Sequence, residues 1–358
     1  MAGSTLGTMF RIMTWGESHG KGVGVTIDGC PAGLSLCEED IQKYLDRRRP
    51  GQSRFTTARQ EGDQVEILSG IFEGKTTGTP IALIVRNLDQ RSRDYRAIMD
   101  VYRPGHADYC FDAKYGFRDY RGGGRSSGRE TIGRVAAGAV AVKLLSHYGI
   151  QVEAYTKSIG TIEIDPRHFD LAEREKNRLY MPDATAAAAA EAFMDELMQA
   201  QDSCGGVVEC IIRGVPAGVG EPVFDKLDAC LAKAVMSIGA VKGFEIGDGF
   251  AAAQSRGSVN NDEFYTEADG AVKKRTNHSG GILGGISDGS EIVLRAAFKP
   301  TPSIVRQQRT VNRAGENVEI VVKGRHDPVV VPRAVVVVEA MAALTVADLL
   351  LLGRCAKL

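Results

Sequence analysis

The 358-residue chain carries 44 basic and 45 acidic residues, so its net charge of −1 provides no overall positive field that would recruit nucleic acid. Its length allows one large domain or two, with a sizeable core. Its seven cysteines lack CxxC spacing and the N-terminus lacks the pattern of a signal peptide, so we expect reduced thiols in a cytoplasmic protein.

A histidine-bearing loop follows the first predicted strand. Strands are predicted over 7–14 and 22–28 from their apolar pattern, and Gly16-Glu17-Ser18-His19-Gly20 lies between them. A histidine in such a tight loop is not typical of a core and can exchange protons near neutral pH. Taken by itself, a single loop histidine is more often an ordinary surface residue than a functional one.

Arginine is concentrated in the first part of the chain. Of 29 arginines, 15 lie between positions 45 and 134, together with 2 lysines and 12 acidic residues. A helix predicted over 38–49 ends at Pro50-Gly51, which leaves the arginines of this region beside a polar loop. Arginine is preferred to lysine where phosphates and carboxylates are bound in a fixed bidentate geometry. We therefore favour recognition of small anions over an RNA-binding surface, which would carry more lysine and interleaved aromatic residues.

A second histidine follows a Pro-Gly turn further along the chain. Strands are predicted over 64–72 and 79–86, and the arginine-rich stretch 86–96 is predicted to be a loop. In Arg103-Pro104-Gly105-His106-Ala107-Asp108, the aspartate could fix the tautomer of His106.

The segment 121–147 predicts a preformed anion site. It begins RGGGRSSGRE, in which Ser127 and Glu130 have the spacing of a capping box. The almost uncharged stretch 132–145 that follows is typical of a buried helix. Such a helix directs N–H groups and partial positive charge at the Gly/Arg loop. Because the loop matches neither a dinucleotide fingerprint nor a P-loop, a flexible glycine turn before a core helix is the alternative.

The second half of the chain repeats the pattern of the first. A strand, a Pro-Ala-Gly turn and a helix at 207–235 match 23–45, and the apolar segment 333–352 matches the helix at 132–145. Charged residues interrupt the apolar tract 329–352, which favours a core element over a membrane span. We predict one domain over 1–358 with a pseudo-repeat, roughly 1–150 and 200–358. The predicted class is α+β: a pseudo-duplicated β-α-β sandwich with buried helices between two antiparallel sheets.

Six segments, taken in chain order, resemble the chorismate synthase family. They are GESHGKGVG (16–24), DRRRPGQSR (46–54), RPGHADY (103–109), RGGGRSSGRET (121–131), GGILGG (280–285) and GRHDP (324–328). The resemblance covers essentially the whole chain. It implies a cytosolic homotetramer that binds reduced FMN and converts 5-enolpyruvylshikimate 3-phosphate to chorismate by anti-1,4 elimination of phosphate, in the shikimate pathway.

The resemblance also assigns roles to individual positions. His19 would protonate the departing phosphate, His106 the reduced flavin, and Asp327 would take part in deprotonation through the flavin. The implied substrate contacts are Ser18, Arg48, Arg54, Arg103, Ser127, Arg129 and Arg325. The implied flavin contacts are Arg125, Ser126, Ser127, Gly239, Ala240, Gly284, Lys299, Pro300, Thr301, Pro302, Ser303 and Arg325.

Further expectations concern the source of electrons and the partners of the protein. The chain lacks the long insertions of the family members that reduce their own flavin, so an external flavin reductase is implied and NAD(P)H would serve only indirectly as an electron source. We predict no metal ion, no nucleic acid and no membrane as partners.

Gly128 and Gly239 replace the family's usual alanine and asparagine, which leaves Gly239 a backbone contact only. A phosphotransferase, the rival enzyme class, would need a nucleotide motif and metal-binding carboxylates that the sequence does not show.

Overall fold

The computed structural model describes residues 3–51, 62–87, 99–322 and 327–357. The α-helices of this part of the chain are α1 (Glu38–Arg48), α2 (Asp108–Tyr115), α3 (Thr131–His147), α4 (Ala184–Gln199), α5 (Leu227–Met236), α6 (Gly257–Asn260) and α7 (Val331–Leu352). The strands are β1 (Thr5–Leu6), β2 (Arg11–Gly16), β3 (Gly22–Asp28), β4 (Val65–Ile67), β5 (Ile71–Phe72), β6 (Lys75–Thr76), β7 (Ile81–Arg86), β8 (Gln151–Ile159), β9 (Ile162–Glu163), β10 (Gly206–Arg213), β11 (Val241–Ile246), β12 (Phe264–Thr266), β13 (Val272–Lys274), β14 (Ile282–Leu283), β15 (Ile286–Ser287), β16 (Ile292–Phe298), β17 (Gln307–Val311) and β18 (Asn317–Val321).

Two antiparallel five-stranded sheets enclose a layer of helices. The first sheet has the order β1-β2-β3-β7-β4 and the second the order β11-β16-β10-β8-β9. Helix α3 packs on the first sheet, α7 packs on the second, and the two helices pack against each other. The predicted α+β sandwich with buried helices between two antiparallel sheets is therefore confirmed.

Small side chains allow the two central helices to approach closely. A Cβ atom added at Gly138 of α3 would lie 2.3 Å from the Cβ of Ala340 on α7, so only glycine fits at this crossing. Helix α7 is apolar nearly all round, as expected for a helix buried on every side. Within the described residues, the one helix long and apolar enough to cross a membrane is Val331–Cys355, and 83% of its apolar window is buried inside the protein. It is therefore a core helix.

The two halves have the same strand order, and each contains the equivalent set of hydrogen bonds. In the first half the Thr76 hydroxyl donates to the Pro31 carbonyl at 2.6 Å and accepts from the amide of Leu34. In the second half the Ser287 hydroxyl donates to the Pro216 carbonyl, also at 2.6 Å, and accepts from the amide of Val219. Each bond ties the turn after a central strand to a short hairpin. These repeated contacts support the internal repeat, whose boundaries stay a prediction.

One carboxylate of α7 ties the first turn of the chain to the core. The backbone amides of Thr8, Met9 and Phe10 donate to the Asp348 carboxylate at 2.6–2.9 Å. We expect Asp348→Ala to lower the free energy of unfolding by about 1–3 kcal/mol, because the amide of buried Phe10 loses its acceptor. Denaturant titration measures the loss. The control is Asp28→Ala, which removes an exposed ion pair with Arg11 and should cost no more than about 1 kcal/mol. Equal losses in the two variants would contradict this role for Asp348.

Candidate active site

The loop between β2 and β3 presents a buried histidine in a defined orientation. The Ser18 hydroxyl lies 3.2 Å from the Gly122 carbonyl and 3.1 Å from Nδ1 of His19. Since the carbonyl can only accept, the hydroxyl donates to it, and Nδ1–H of His19 donates to the hydroxyl. Nε2 is then the nitrogen of His19 that can take up or release a proton during a reaction.

The loop before α2 orients the second histidine in the same way. Nδ1 of His106 lies 3.0 Å from the Pro104 carbonyl, so this nitrogen carries a proton and donates it to the carbonyl. Nε2 lies 3.0 Å from the Ser303 hydroxyl. Both histidines thus use Nδ1 for anchoring, which makes Nε2 the position for proton exchange in a general acid or base.

The tautomer role predicted for Asp108 is wrong. Its carboxylate accepts two bonds from the Arg103 guanidinium, at 2.8 Å each, and a third from the Arg103 amide at 3.0 Å. Burial acts to raise the pKa of the Asp108 carboxyl, but the bonds to Arg103 outweigh it and hold that pKa below its usual range. The Pro104 carbonyl, which sequence spacing could not single out, does what was predicted for Asp108.

A buried cluster of guanidinium groups and carboxylates lies beside the His19 loop. Asp63, whose side chain is fully buried, pairs through one oxygen with Arg48 and through the other with Arg129, at 3.1 Å each. Burial lowers the pKa of Arg48 to about 10, against the opposing charge of Asp63, so Arg48 remains a cation at neutral pH. Arg48 also donates to the Gly128 carbonyl. The Asp63 carboxylate thereby joins the C-terminal end of α1 to the turn that leads into α3.

Helix α7 brings a third arginine to this cluster. Arg333 donates through Nε to the Arg48 carbonyl at 3.0 Å and through Nη1 to the Asp327 carboxylate at 2.5 Å. Asp327, one of the predicted catalytic residues, is therefore in direct contact with the arginine cluster through Arg333. The amide of Cys204 donates to the carbonyl of the adjacent Pro328, and the Ser203 hydroxyl donates to the Thr301 carbonyl. This chain of contacts connects the first-half arginines to the loop 299–303.

The Gly/Arg loop before α3 uses part of its polar groups internally. The predicted capping box is wrong for Glu130, whose carboxylate instead accepts from the Thr14 hydroxyl at 2.8 Å and from Arg134 at 2.7 Å. Ser127 does cap a short 3-10 turn ahead of α3, where its hydroxyl accepts from the Arg129 amide. Ser126 is exposed and donates to the Gly123 carbonyl. The Arg125 guanidinium donates to the Gly16 carbonyl and to Thr14, so it fastens the loop to β2.

The second-half loops bring several of the predicted flavin contacts together. Lys299 donates from its amide to the Ala240 carbonyl and from its ammonium to the Gly105 carbonyl, which joins three predicted segments. A Cβ added at Gly239 would meet nothing within 4 Å, and Thr301 Oγ1 makes no hydrogen bond to any residue that the structure describes. Open backbone, an unpaired hydroxyl and a lysine are suitable for a phosphorylated planar ligand, so these residues fit FMN.

Gly284, another predicted flavin contact, lies at the opposite end of α5 from Gly239 and Ala240. Gly284 lies in the β14–β15 turn, where the neighbouring Gly285 carbonyl accepts from the amide of Leu227 at the start of α5. Gly239 and Ala240 follow the other end of α5, roughly 15 Å away along the helix axis. Pro300 and Pro302 lie in the 299–303 loop, and a Cβ at Gly105 would lie 2.6 Å from Pro302. Arg54 and Arg325 lie outside the described residues.

Three residues of the cluster have no signal in the sequence. Asp63 and Arg333 are charged residues without a motif. Asn87, whose amide oxygen accepts from Nε of Arg129, is a single polar residue after a strand. Their burial and partners come from distant parts of the chain, so no local spacing identifies them. In the described ranges, no group of His, Cys, Asp and Glu side chains is arranged to hold a metal ion.

Comparison with known proteins gives one family for the whole chain. The family model described as chorismate synthase matches residues 10–351. Proteins named chorismate synthase from Agathobacter rectalis and Thermosynechococcus vestitus are 64% and 58% identical to the chain, covering 100% and 98% of it and 97% of each relative. A crystal structure of a chorismate synthase superposes with a TM-score of 0.76 at 36% identity, over 96% of this chain and 92% of that one.

Proposed function

Because the chain belongs to the chorismate synthase family, we propose that the buried histidines and arginines described above form its active site. The enzyme is a lyase that converts 5-enolpyruvylshikimate 3-phosphate to chorismate and phosphate by anti-1,4 elimination, in the biosynthesis of aromatic amino acids. The observation that carries the site assignment is the shared anchoring of His19 and His106, each of which has Nδ1 bonded to an oxygen atom of its own loop.

The arginines would bind a substrate that has two carboxylates and a phosphate. Arg129 lies in the turn that leads into α3, so its cation adds to the partial positive charge of that helix end. Asp63 and Asp327 offset part of the repulsion among Arg48, Arg129 and Arg333 and hold them in place. A preorganised cationic site of this kind stabilises developing phosphate charge without rearranging during the reaction.

The histidines would handle the protons. With Nδ1 donating to Ser18, a protonated His19 can deliver the proton on Nε2 to the departing phosphate. His106 would exchange its Nε2 proton beside Ser303, at the loop assigned to the flavin. Asp327, held by Arg333, is proposed to accept the proton that elimination removes.

Reduced FMN would be held by Lys299 to Ser303, Gly239, Ala240 and the loop from Arg125 to Ser127. When bound, reduced flavin would supply the transient electron density that helps to expel phosphate, in a reaction without net redox change. The protein's own part is to position substrate beside the two histidines and to exclude water.

The test of the proposed function is turnover under anaerobic conditions. With dithionite-reduced FMN, the purified protein should release chorismate and phosphate in equal amounts from 5-enolpyruvylshikimate 3-phosphate. Oxidised FMN, or no flavin, should give no turnover. Full activity without flavin would refute the cofactor assignment. A lack of activity with reduced FMN would refute the proposed function.

We further propose a cytoplasmic homotetramer supplied by an external flavin reductase. Large apolar side chains such as Met13, Phe224 and Phe250 are exposed on the single chain, which supports burial in an assembly. Light scattering of the purified protein measures the assembly, and a monomer would contradict it.

The contact between Gly122 and His19 provides a specific expectation. Gly122 has φ +67, and a Cβ there would lie 2.1 Å from Cε1 of His19. We expect Gly122→Ala to lower kcat by about 10–10²-fold, because the imidazole must move. Gly124→Ala is the matched control, since Gly124 also has positive φ (+53) but its Cβ would meet nothing within 4 Å. Equal loss in both variants, measured by phosphate release, would attribute the effect to backbone strain.

A further inference from the structure

Asn87, the first residue after β7, connects the His19 loop to the arginine cluster. Its amide nitrogen donates to the Glu17 carbonyl at 2.9 Å and to the Gly20 carbonyl at 2.8 Å. These two carbonyls flank Ser18 and His19. Its amide oxygen accepts from Nε of Arg129 at 2.5 Å. The side chain thus holds both ends of the histidine turn and one face of an anion-binding arginine.

The sheet register explains how one asparagine reaches both groups. Strand β3 starts at Gly22 directly opposite Arg86, the last residue of β7. The backbone amide of Asn87 continues this pairing by donating to the Lys21 carbonyl at 3.2 Å. The side chain is therefore placed beside the loop that precedes β3, and α3 packs on the same strands and brings Arg129 from the other side.

The chemistry requires an amide at this position. Both carbonyls need a donor and the Arg129 Nε–H needs an acceptor, and a primary amide provides both in one plane. Aspartate would keep the acceptor but turn an oxygen towards the two carbonyl oxygens. His19 lies in the loop between the end of β2 and the start of β3, outside any helix or strand. Its position therefore depends on side-chain contacts such as those of Asn87.

We propose that Asn87 is a positioning residue that fixes His19 relative to Arg129, so that the proton donor and the anion site keep their spacing. This inference rests on the proposed function of His19 and Arg129. A displacement of about 1 Å in a positioned catalytic group can cost about 10²-fold in rate. We therefore expect Asn87→Ala to lower kcat by about 10–10²-fold.

Two variants separate the two contacts. Asn87→Asp keeps the acceptor for Arg129 and loses both donors, so we expect substrate affinity in calorimetry to be retained while kcat falls. Asn87→Ala loses all three bonds and should lower both. In the His19→Ala background, Asn87→Ala should cause little further loss of kcat, because residues that act through one another are not additive.

A matched control is available in the segment between the two repeated halves. Asn177 also donates from its amide to two carbonyls, those of Glu173 and Met181, at 2.9 and 2.8 Å. Asn177→Ala removes the same kind of turn-bridging asparagine from a loop that carries no proposed site residue. It should leave kcat unchanged, even where it lowers the melting temperature.

Amide hydrogen exchange of residues 16–22 gives a reading that does not depend on turnover. Exchange in this segment should rise in Asn87→Ala and Asn87→Asp and stay unchanged in Asn177→Ala. Wild-type kcat together with wild-type exchange in Asn87→Ala would overturn the proposal. If Asn87→Ala does not fold, the isosteric Asn87→Asp decides. Inactive wild-type protein would refute the proposed function, and the exchange result would still decide whether Asn87 holds the loop.

Discussion

Replacing His19 with alanine is expected to lower kcat by about 10²–10⁴-fold, the range typical of a lost general acid. The imidazole is 5% exposed and anchored by Ser18, so Nε2 has a fixed direction from which to deliver a proton. Phosphate release under anaerobic conditions with reduced FMN measures the loss. His168→Ala, at a largely exposed histidine near Asp183, is the control and should leave kcat unchanged.

His106→Ala should lower kcat over the same range but differ in its spectrum. His106 lies beside Ser303 in the loop proposed to bind the flavin, whereas His19 lies against Gly122 in the first half. Loss of His106 should therefore change the absorbance of bound reduced FMN between pH 6 and 9. Loss of His19 should leave that spectrum nearly unchanged. Identical flavin spectra in the two variants would refute this division of roles.

Removing Asp63 should have the largest effect on stability. Its carboxylate lies between the buried Arg48 and Arg129, and alanine would leave two like charges facing each other without a counterion. Breaking a buried ion pair from one side typically costs about 3–5 kcal/mol. We expect a loss of that size for Asp63→Ala in guanidinium chloride titrations at fixed protein concentration.

The matched control is an aspartate in an exposed ion pair nearby. Asp46 lies 3.6 Å from Arg49, with both side chains 44% exposed, so Asp46→Ala should change stability by less than about 1 kcal/mol. A similarly small change in Asp63→Ala would mean that the guanidinium groups find other acceptors. The double variant Asp63→Ala, Arg48→Met should recover part of the loss, because it removes one of the unpaired cations.

The fold class could be read from the sequence because its signals are local. Alternating apolar residues in β3 and the nearly uncharged stretches of α3 and α7 determine which faces must be buried. The repeat of a Pro-Ala-Gly turn at 31–33 and 216–218 further indicated two similar halves. The sequence also predicted four of the candidate site residues, because each belongs to a short and specific motif: Ser18, His19, His106 and Arg129.

The partners of those residues were decided by the tertiary structure. Asp108 is two residues from His106 in sequence but binds Arg103, and Glu130 has the spacing of a helix cap but binds Thr14 and Arg134. In each case a nearby guanidinium or hydroxyl competes for the carboxylate, and sequence spacing does not record such competition. Asp63, Asn87 and Arg333 acquire their roles only when α1, β7 and α7 meet beside α3. A hydrogen-bond partner depends on the position of two backbones, whereas burial depends mainly on the pattern of one.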